Sequence, residues 1–339
     1  MTTDVARLTP ADARALIEAA LTANGVAPEA ALSVAQALAA AEAEGQVGHG
    51  FSRLEDYIAQ AKSGKINPQA SIQSHLAAPS SLVVDADHGF AYPAMDVAIA
   101  KGIEIARAQG VAMMAIRNSH HCGALSIQVE RIAKAGLVGL MMANTPAAIA
   151  PWGAKAALFG TNPIAFAAPR VGQPPLVIDL SLSTVARGKV LNAKKTGQAI
   201  PAGWALDADG QPTTDPDAAL AGSMMPIGGA KGTALALMVE ILSAVLSAST
   251  LSAEAASFFN PEGPPPGVGQ WMMAIQPPDG ADFGSRLEHL FALVAAADGA
   301  RLPGQRRLQA LAEAEANGIA VNAGYVAAAR RLAGWDEPA

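Results

Sequence analysis

The sequence predicts an α/β fold with helical segments at both ends of the chain. Between residues 82 and 275, short apolar runs alternate with helical stretches, which is typical of an α/β lobe. Residues 9–62 and 283–333 show mainly helical periodicity. Because 339 residues exceed what one compact core usually holds, we expect several lobes. The predicted segments are residues 1–80, 81–270 and 271–339.

The first segment begins with a pair of helices. Thr9 to Asp12 supply a hydroxyl N-cap, a proline for the first helical position and an early carboxylate near the helix dipole. This helix is expected to end at Gly25, and a second, alanine-rich helix follows over residues 28–44. After a glycine-rich break at residues 45–50, the pattern predicts a third helix over residues 52–62.

The middle segment alternates strands with helices. Helices are predicted over residues 93–109, 124–135 and 185–195, and a long helix starts near Lys231 after a turn-rich loop at residues 197–216. The predicted strands are residues 82–84, 111–116, 137–143, 164–167 and 176–178. The last segment contains a strand over residues 271–275 and helices over residues 283–299, 304–318 and 322–333.

Composition excludes several classes of protein. Lys and Arg total 23 against 29 Asp and Glu, a net charge of −6, which argues against nucleic acid as a partner. A single cysteine excludes an intrachain disulfide framework and fits a reducing, cytoplasmic location. The N-terminus does not resemble a signal peptide, and Glu240 interrupts the most apolar segment, residues 232–249, so no membrane association is expected. Only 15% of residues are charged, which suggests a surface partly covered in an oligomer.

The expected dinucleotide fingerprint of an α/β chain, Gly-x-Gly-x-x-Gly after a strand, is missing, so a conventional Rossmann site is doubtful. Residues 228–233 look superficially like a phosphate loop but lack its four-residue spacer. The two glycines would still let a ligand approach the backbone, and Lys231 stands at a helix N-terminus that favours an anion. The alternative is a glycine-rich turn with a solvated lysine.

His49 and Arg53 are the first pair of residues that could take part in catalysis. Glycines on both sides leave the imidazole of His49 uncrowded, and Arg53 follows one helical turn later. A guanidinium can anchor a carboxylate by two hydrogen bonds while an imidazole transfers a proton near neutral pH. The alternative is a capping histidine beside a surface arginine.

The loop of residues 118–123 contains His120, His121 and Cys122 between a predicted strand and a helix. Consecutive residues of an extended stretch point to opposite sides, and no second cluster completes a tetrahedral set, so we expect no metal. Such a loop is better suited to a phosphate or ribose, or it is a polar loop with a satisfied histidine pair.

Polar clusters also occur at residues 179–181 and 187–188, after a buried strand, where α/β proteins place ligands. Arg306 and Arg307 form a further cluster, which could clamp a 2′-phosphate or form a solvated helix face.

These motifs, in this order, resemble the malate/L-lactate dehydrogenase family, which is unrelated to the Rossmann dehydrogenases and includes ureidoglycolate and sulfolactate dehydrogenases. The resemblance extends from about Gly45 to Arg307. It rests on His49 with Arg53, Asp85-x-Asp87-His88-Gly89, residues 118–121, 150–153, 159–163, 186–189 and 201–205, and Lys231-Gly232 followed by residues 235–242. Residues 121–125, 146–152, 179–183 and 228–231 look most like the branch of Δ1-pyrroline-2-carboxylate/Δ1-piperideine-2-carboxylate reductases.

The resemblance implies an NAD(P)H-dependent reductase, usually a homodimer, with an atypical, non-Rossmann cofactor-binding α/β lobe, a mixed sheet, and helical N- and C-terminal segments packed on each other. NADPH is the favoured cofactor and NADH the alternative. By the same resemblance His49 donates the proton, and the substrate contacts are Arg53, Thr161, Gly229, Ala230 and Lys231. The implied cofactor contacts are His121, Cys122, Gly123, Ala124, Leu125, Asp179, Leu180, Ser181, Arg187, Gly188, Arg306 and Arg307.

Three positions depart from the family pattern. Many relatives have Ser before the histidine, whereas this chain has Gly48, and an Asp that completes the relay in some members corresponds to Lys189. Hydroxyacid dehydrogenases of the family commonly have His where this chain has Ala230. Losing that donor removes a partner for a 2-oxo group and makes room for a ring, which favours a cyclic imine over malate.

The resulting hypothesis is reduction of a cyclic Δ1-imino-2-carboxylate to L-proline or L-pipecolate, with hydride delivered to C2 and His49 keeping the imine nitrogen protonated. A 2-hydroxyacid dehydrogenase of the same family is the nearest alternative. A non-catalytic cofactor-binding protein that has lost its relay, and a metal-dependent hydrolase built on residues 120–122, are alternatives of other classes.

Overall fold

A seven-stranded mixed sheet forms the centre of the protein. The computed structural model describes residues 4–278 and 282–335. Its strands are β1 (Val5–Leu8), β2 (Gln73–Ala78), β3 (Ser81–Asp85), β4 (Val111–Ser119), β5 (Val138–Ala143), β6 (Ile164–Ala168), β7 (Leu176–Leu180), β8 (Ala205–Leu206), β9 (Pro212–Thr213), β10 (Ser223–Met224), β11 (Val268–Ile275) and β12 (Ile319–Asn322).

Helices surround this sheet and form most of both chain ends. They are α1 (Pro10–Ala23), α2 (Pro28–Ala43), α3 (Leu54–Ser63), α4 (Ala91–Gln109), α5 (Leu125–Lys134), α6 (Arg187–Thr196), α7 (Pro216–Ala221), α8 (Ala230–Glu240), α9 (Phe283–Ala296), α10 (Gln305–Asn317) and α11 (Ala323–Ala333). A π-helical turn, Ile241–Val245, continues α8. Within the described ranges, no helix is both long enough and apolar enough to cross a bilayer.

The strand order of the large sheet is β2-β3-β4-β11-β5-β6-β7. The pair β3 and β4 is parallel and the other pairs are antiparallel. The predicted α/β fold with a mixed sheet is therefore confirmed. The predicted segment boundary at residue 270 falls inside β11, which pairs with β4 on one side and β5 on the other, so the sheet needs residues from beyond that boundary.

Apolar residues on alternate sides of the central strands create two cores. On β11, Met272 and Ala274 belong to the larger core, which also contains the helices at the chain's N-terminus. Trp271 lies in a second core with Val190 of α6 and Val239 of α8. Because successive strand residues point to opposite faces, one continuous apolar run can serve both cores.

The two ends of the chain pack on each other. The strand β1 pairs antiparallel with β12, with Val5 opposite Asn322, and α1 packs against both α2 and α11. The sequence did not predict β1, β2 or β12, nor the short strands β8, β9 and β10, of which β8 and β9 lie in the predicted turn-rich loop. The pairing of β1 with β12 joins segments about 300 residues apart, and local periodicity carries no information on such a contact.

A buried ion-pair cluster fastens the C-terminal part to the rest of the protein. Arg307 of α10 donates to Glu44 Oε1 at 2.8 Å and to Glu130 Oε1 of α5 at 3.0 Å. All three side chains are at most 12% exposed. Arg307 thus links α10 to the end of α2 and to a helix that packs on the sheet.

Replacing Arg307 should destabilise the fold strongly. We expect Arg307→Ala to lower the free energy of unfolding by about 3–5 kcal/mol, because the buried Glu44 carboxylate loses its counter-ion and Glu130 keeps only its pair with Lys134 among the described residues. The neighbouring Arg306 is exposed, so Arg306→Ala should change it by less than about 0.5 kcal/mol. Urea denaturation of the three proteins measures this difference, and equal stabilities of the two variants would contradict the assignment.

Candidate active site

A cavity of about 1370 Å³ opens at the carboxyl ends of β4, β5 and β7. These three strands run in the same direction, so the segments that follow them, His120 to Leu125, Asn144 to Ala148 and Ser181, lie at one edge of the sheet. Ligands of open α/β sheets bind at this edge. The turn before α3 and the loop of residues 252–259 complete the wall.

His49 lies in a tight turn that a buried carboxylate holds in place. The turn consists of two short 3₁₀ segments, Val47–His49 and Phe51–Arg53, immediately before α3. Glu42 Oε2 of α2 accepts a hydrogen bond of 2.8 Å from the Phe51 amide. A Cβ atom on Gly50 would lie 1.9 Å from the same oxygen, which explains the glycine beside the histidine. Burial raises the pKa of Glu42 to about 7, although the Phe51 amide opposes the shift.

The imidazole of His49 stacks on that of His121. The ring centroids are 5.4 Å apart and the planes differ by 15°. The Nδ1 atom of His49 is buried and has no hydrogen-bond partner among residues 4–278 and 282–335. Burial, and then the positive charge of Arg53, lower the pKa of His49 to about 4. The site therefore holds a neutral imidazole at neutral pH.

Arg53 is fixed beside His49 and faces the same cavity. Its Nε donates to the carbonyl oxygen of Gly48 at 2.8 Å, and its guanidinium lies 4.8 Å from the centroid of the Phe259 ring. Phe259 is 44% exposed and lines the cavity with Phe258. A cation with one face on an aromatic ring, in a largely apolar cavity, suits a small carboxylate.

The two adjacent histidines after β4 have different partners. His120 Nε2 is 2.9 Å from Gln60 Oε1, whereas His121 Nδ1 is 2.6 Å from Tyr57 Oη. Cys122 is buried, and burial raises the pKa of its thiol to about 12. Within the described residues, no three His, Cys, Asp or Glu side chains are grouped to hold a metal ion. His120, His121 and Cys122 therefore lack the arrangement that a metal-dependent hydrolase would need.

Asp179 of β7 binds the start of α5 and gives the cavity a negative group. Its Oδ2 accepts a hydrogen bond of 2.8 Å from the Ser126 amide. Burial, with a contribution from Glu44, raises the pKa of Asp179 to about 6. A carboxylate here suits hydroxyl donors such as those of a ribose better than it suits a phosphate.

The cavity can accommodate a dinucleotide together with a small substrate. Its volume exceeds the 300–1,000 Å³ of ordinary small-molecule pockets. Arg187 lies in its wall, where burial lowers the pKa of the guanidinium, and the space around Gly188 is open. The unpartnered Nδ1 of His49 is a further buried polar atom that a ligand could satisfy.

Most of the predicted site residues meet at this cavity. It is lined by His49, Arg53, His121, Cys122, Gly123, Ala124, Leu125, Thr161, Asp179, Leu180, Ser181, Arg187 and Gly188. Gly229, Ala230 and Lys231 do not line it within one chain, and Lys231 is exposed at the start of α8. Arg306 and Arg307 also lie outside it, and Arg307 is committed to Glu44 and Glu130. Their roles remain predictions.

The sequence analysis missed the residues that support His49 and His121. Tyr57 and Tyr92 are two of the three tyrosines in a chain with 4% aromatic residues, and this scarcity could have drawn attention to them. Glu42 gave no such signal, because it lies in an alanine-rich helical pattern that also contains Glu44. Phe258 and Phe259 follow no recognisable motif.

Comparison with known proteins agrees with this geometry. The family model described as malate/L-lactate dehydrogenase matches residues 8–329. A (2R)-3-sulfolactate dehydrogenase (NADP(+)) of Chromohalobacter salexigens is 52% identical over 297 residues, covering 87% of this chain and 89% of the relative. A Δ1-pyrroline-2-carboxylate/Δ1-piperideine-2-carboxylate reductase of Pseudomonas putida is 39% identical over 323 residues, covering 94% and 95%. The crystal structure of Δ1-piperideine-2-carboxylate reductase from Pseudomonas syringae pathovar tomato superposes with a TM-score of 0.92 at 38% identity, covering 96% of this chain and 99% of that one.

The free protein should keep His49 uncharged far below neutral pH. We expect its imidazole to stay neutral from pH 8 to pH 5 and to gain a proton only near pH 4, because burial and Arg53 both disfavour the cation. Arg53→Gln should raise this pKa, since one of the two causes is removed. NMR titration of ¹⁵N-histidine-labelled protein measures the pKa of His49 in the wild type and in the variant. A wild-type pKa near 6.5 would contradict a buried imidazole beside a cation.

Proposed function

Because the chain belongs to the malate/L-lactate dehydrogenase family, we propose that this oxidoreductase uses NADP(H) to transfer hydride to or from C2 of a small 2-substituted carboxylate. The observation that carries the proposal is that His49 and Arg53 face one cavity large enough for a dinucleotide and a substrate. A proton donor and a carboxylate anchor are what such a reaction requires beside the cofactor.

Arg53 binds the substrate carboxylate and thereby prepares His49 for proton transfer. In the free protein the charge of Arg53 contributes to the low pKa of His49. A bound carboxylate neutralises this charge, so the pKa of His49 rises when substrate binds and the imidazole can take up the proton that it later donates. NADPH supplies the hydride when bound. Phe258 and Phe259 give the cavity an aromatic wall beside Arg53.

We propose that the cofactor lies along the segments after β4 and β7. His121, Cys122, Gly123, Ala124 and Leu125 line one wall, and Asp179, Leu180, Ser181, Arg187 and Gly188 line the other. The similarity to the NADP(+)-dependent sulfolactate dehydrogenase supports use of the phosphorylated cofactor. Because Arg307 is ion-paired, the exposed Arg306 is the candidate of this pair for a contact with the 2′-phosphate, although it lies outside the cavity of one chain.

The first substrate candidate is a cyclic Δ1-imino-2-carboxylate, which would be reduced to L-proline or L-pipecolate. Ala230 in place of a histidine favours a ring over a 2-oxo group, and the phenyl ring of Phe259 beside Arg53 offers an apolar surface to the ring carbons. Such a substrate carries one carboxylate, which one guanidinium can bind. Relatives with this activity in their names are 38–40% identical.

The second candidate is a 2-hydroxy acid of the sulfolactate type, with the corresponding 2-oxo acid in reduction. The 52% identity to the sulfolactate dehydrogenase favours it. Such a substrate carries a sulfonate besides its carboxylate and so needs a second cation. Lys231 is the candidate, provided that a second subunit brings it to a cavity.

We propose that the protein is a homodimer that uses the face of α8. Leu235, Met238, Ile241 and Val245 recur at three- and four-residue spacing along α8 and its π turn, and all four are exposed. An exposed apolar row of this length is typical of a buried interface. Lys231, Ala230 and Gly229 begin the same helix, so an interface here would place them beside a second subunit.

Substrate assays test the proposed activity. We expect NADPH-dependent turnover of Δ1-pyrroline-2-carboxylate and Δ1-piperideine-2-carboxylate to exceed that of 3-sulfopyruvate, oxaloacetate and pyruvate. His49→Ala should lower kcat by about 10²-fold or more, and Arg53→Lys should raise the KM of the carboxylate by about tenfold because the two-pronged contact is lost. Higher turnover of 3-sulfopyruvate would select the second candidate, and NADPH binding without any turnover would select a non-catalytic protein.

Light scattering tests the dimer. We expect wild-type protein to be dimeric at micromolar concentration and Val245→Glu to shift it towards monomer, because a buried unpaired charge opposes association. Val171 is 84% exposed and lies away from this face, so Val171→Glu is the matched control and should remain dimeric. A monomeric wild-type protein would contradict the proposal.

A further inference from the structure

Three buried side chains form a hydrogen-bonded row behind the cavity. Tyr57 Oη lies 2.6 Å from Nδ1 of His121 and 2.9 Å from Oη of Tyr92. Tyr57 belongs to α3 and Tyr92 to the first turn of α4, and both are at most 2% exposed. Burial, the largest cause, raises the pKa of both phenols, so each hydroxyl keeps its proton at neutral pH.

The direction of these hydrogen bonds follows from counting donors and acceptors. Within the described part of the chain, Tyr57 is the hydrogen-bond partner shown for the Tyr92 hydroxyl. If Tyr57 donated to Tyr92, the buried O–H of Tyr92 would have no acceptor among these residues. If Tyr92 donates to Tyr57, then Tyr57 donates to Nδ1 of His121 and both O–H groups are satisfied. Because an unsatisfied buried donor is costly, the second arrangement is the stable one.

We propose that Tyr57 is a positioning residue that fixes His121 in the tautomer with its proton on Nε2, and that His121 in turn orients His49. This inference rests on the proposed function of His49 as the proton donor. Gly48, the residue before His49, has no side chain that could orient the imidazole.

The stacking geometry carries the link from His121 to His49. His49 Nδ1 has no hydrogen-bond partner in the described ranges, so side-chain hydrogen bonding at that nitrogen does not set the plane of its ring. The nearly parallel ring of His121 does so, at a centroid distance of 5.4 Å. His121 is held from behind by Tyr57 and packed by Phe258, whose ring centroid is 5.3 Å away. A fixed His121 therefore restricts the rotation of His49 about its side-chain bonds.

The loop is built to keep the tyrosine row close to His121. Gly123 has a φ of +66°, and a Cβ atom there would lie 2.6 Å from the Tyr92 hydroxyl. The positive φ and the close approach both require glycine. With Nδ1 engaged by Tyr57, Nε2 is the nitrogen that His121 retains for the cavity, where it offers an N–H donor to substrate or cofactor.

Tautomer measurement and two matched hydroxyl deletions test the proposal. Long-range ¹H–¹⁵N NMR of histidine-labelled protein without ligand should show His121 protonated on Nε2 and bare on Nδ1, with its signals assigned by their loss in His121→Gln. Tyr57→Phe should make His121 a mixture of tautomers and lower kcat by about tenfold or more, with the KM for NADPH changed less than about twofold. Tyr92→Phe removes an equally buried hydroxyl but leaves the Tyr57 bond, so it should lower kcat by less than about threefold.

The outcomes separate positioning from packing. A His121 protonated on Nδ1 in wild-type protein would overturn the proposal, and this measurement needs neither a variant nor a known substrate. Equal losses of kcat in Tyr57→Phe and Tyr92→Phe would also overturn it, because both deletions disturb the packing alike. If no substrate is turned over, the proposed function fails, while the tautomer and its change in Tyr57→Phe still decide whether Tyr57 fixes His121.

Discussion

The stacked pair of His49 and His121 is the contact on which the site depends, because it joins two parts of the chain that are distant in sequence. His49 comes from the helical N-terminal segment and His121 from the edge of the sheet. Each ring is held from its own side, His49 through the Glu42 carboxylate that fixes its turn and His121 through Tyr57. Packing of the first segment on the sheet therefore creates the site, and looser packing would separate His49 from His121 and the cavity wall.

Burial determines the electrostatic state of this pair. Two imidazoles 5.4 Å apart beside Arg53 disfavour each other's charged form, and both pKa values are lowered, chiefly by burial. A buried lysine also anchors the loop that carries Phe258 and Phe259. Lys65 Nζ donates to the carbonyl oxygens of Ser257, Asn260 and Glu262 at 2.7–3.0 Å, so a buried cation secures the segment that carries Phe258 and Phe259. The free protein thus presents a neutral imidazole, the Arg53 guanidinium beside it and an aromatic wall.

Much of this could be predicted from the sequence because the signals are local. Thr9 caps α1 as its position indicated, the predicted strands of the large sheet are present, and His49 and Arg53 share a cavity because one helical turn separates them. The contacts that could not be predicted join residues that are far apart in the sequence. The partners of Arg307 lie in α2 and α5, and Tyr57 meets His121 across 64 residues, so no spacing rule identifies either contact. For Lys231 the local signal was present, because it stands at a helix start suited to an anion. Within one chain, however, Lys231 is exposed and does not line the cavity.

A crystal structure of the protein with NADP⁺ and pyrrole-2-carboxylate, a flat analogue of a cyclic imino acid, tests the central claim most directly. We expect the carboxylate to lie on the Arg53 guanidinium, the ring nitrogen to be within hydrogen-bond distance of His49, and the nicotinamide to fill the space beside His121. A carboxylate bound away from Arg53, with the His49 ring turned from the ligand, would contradict it.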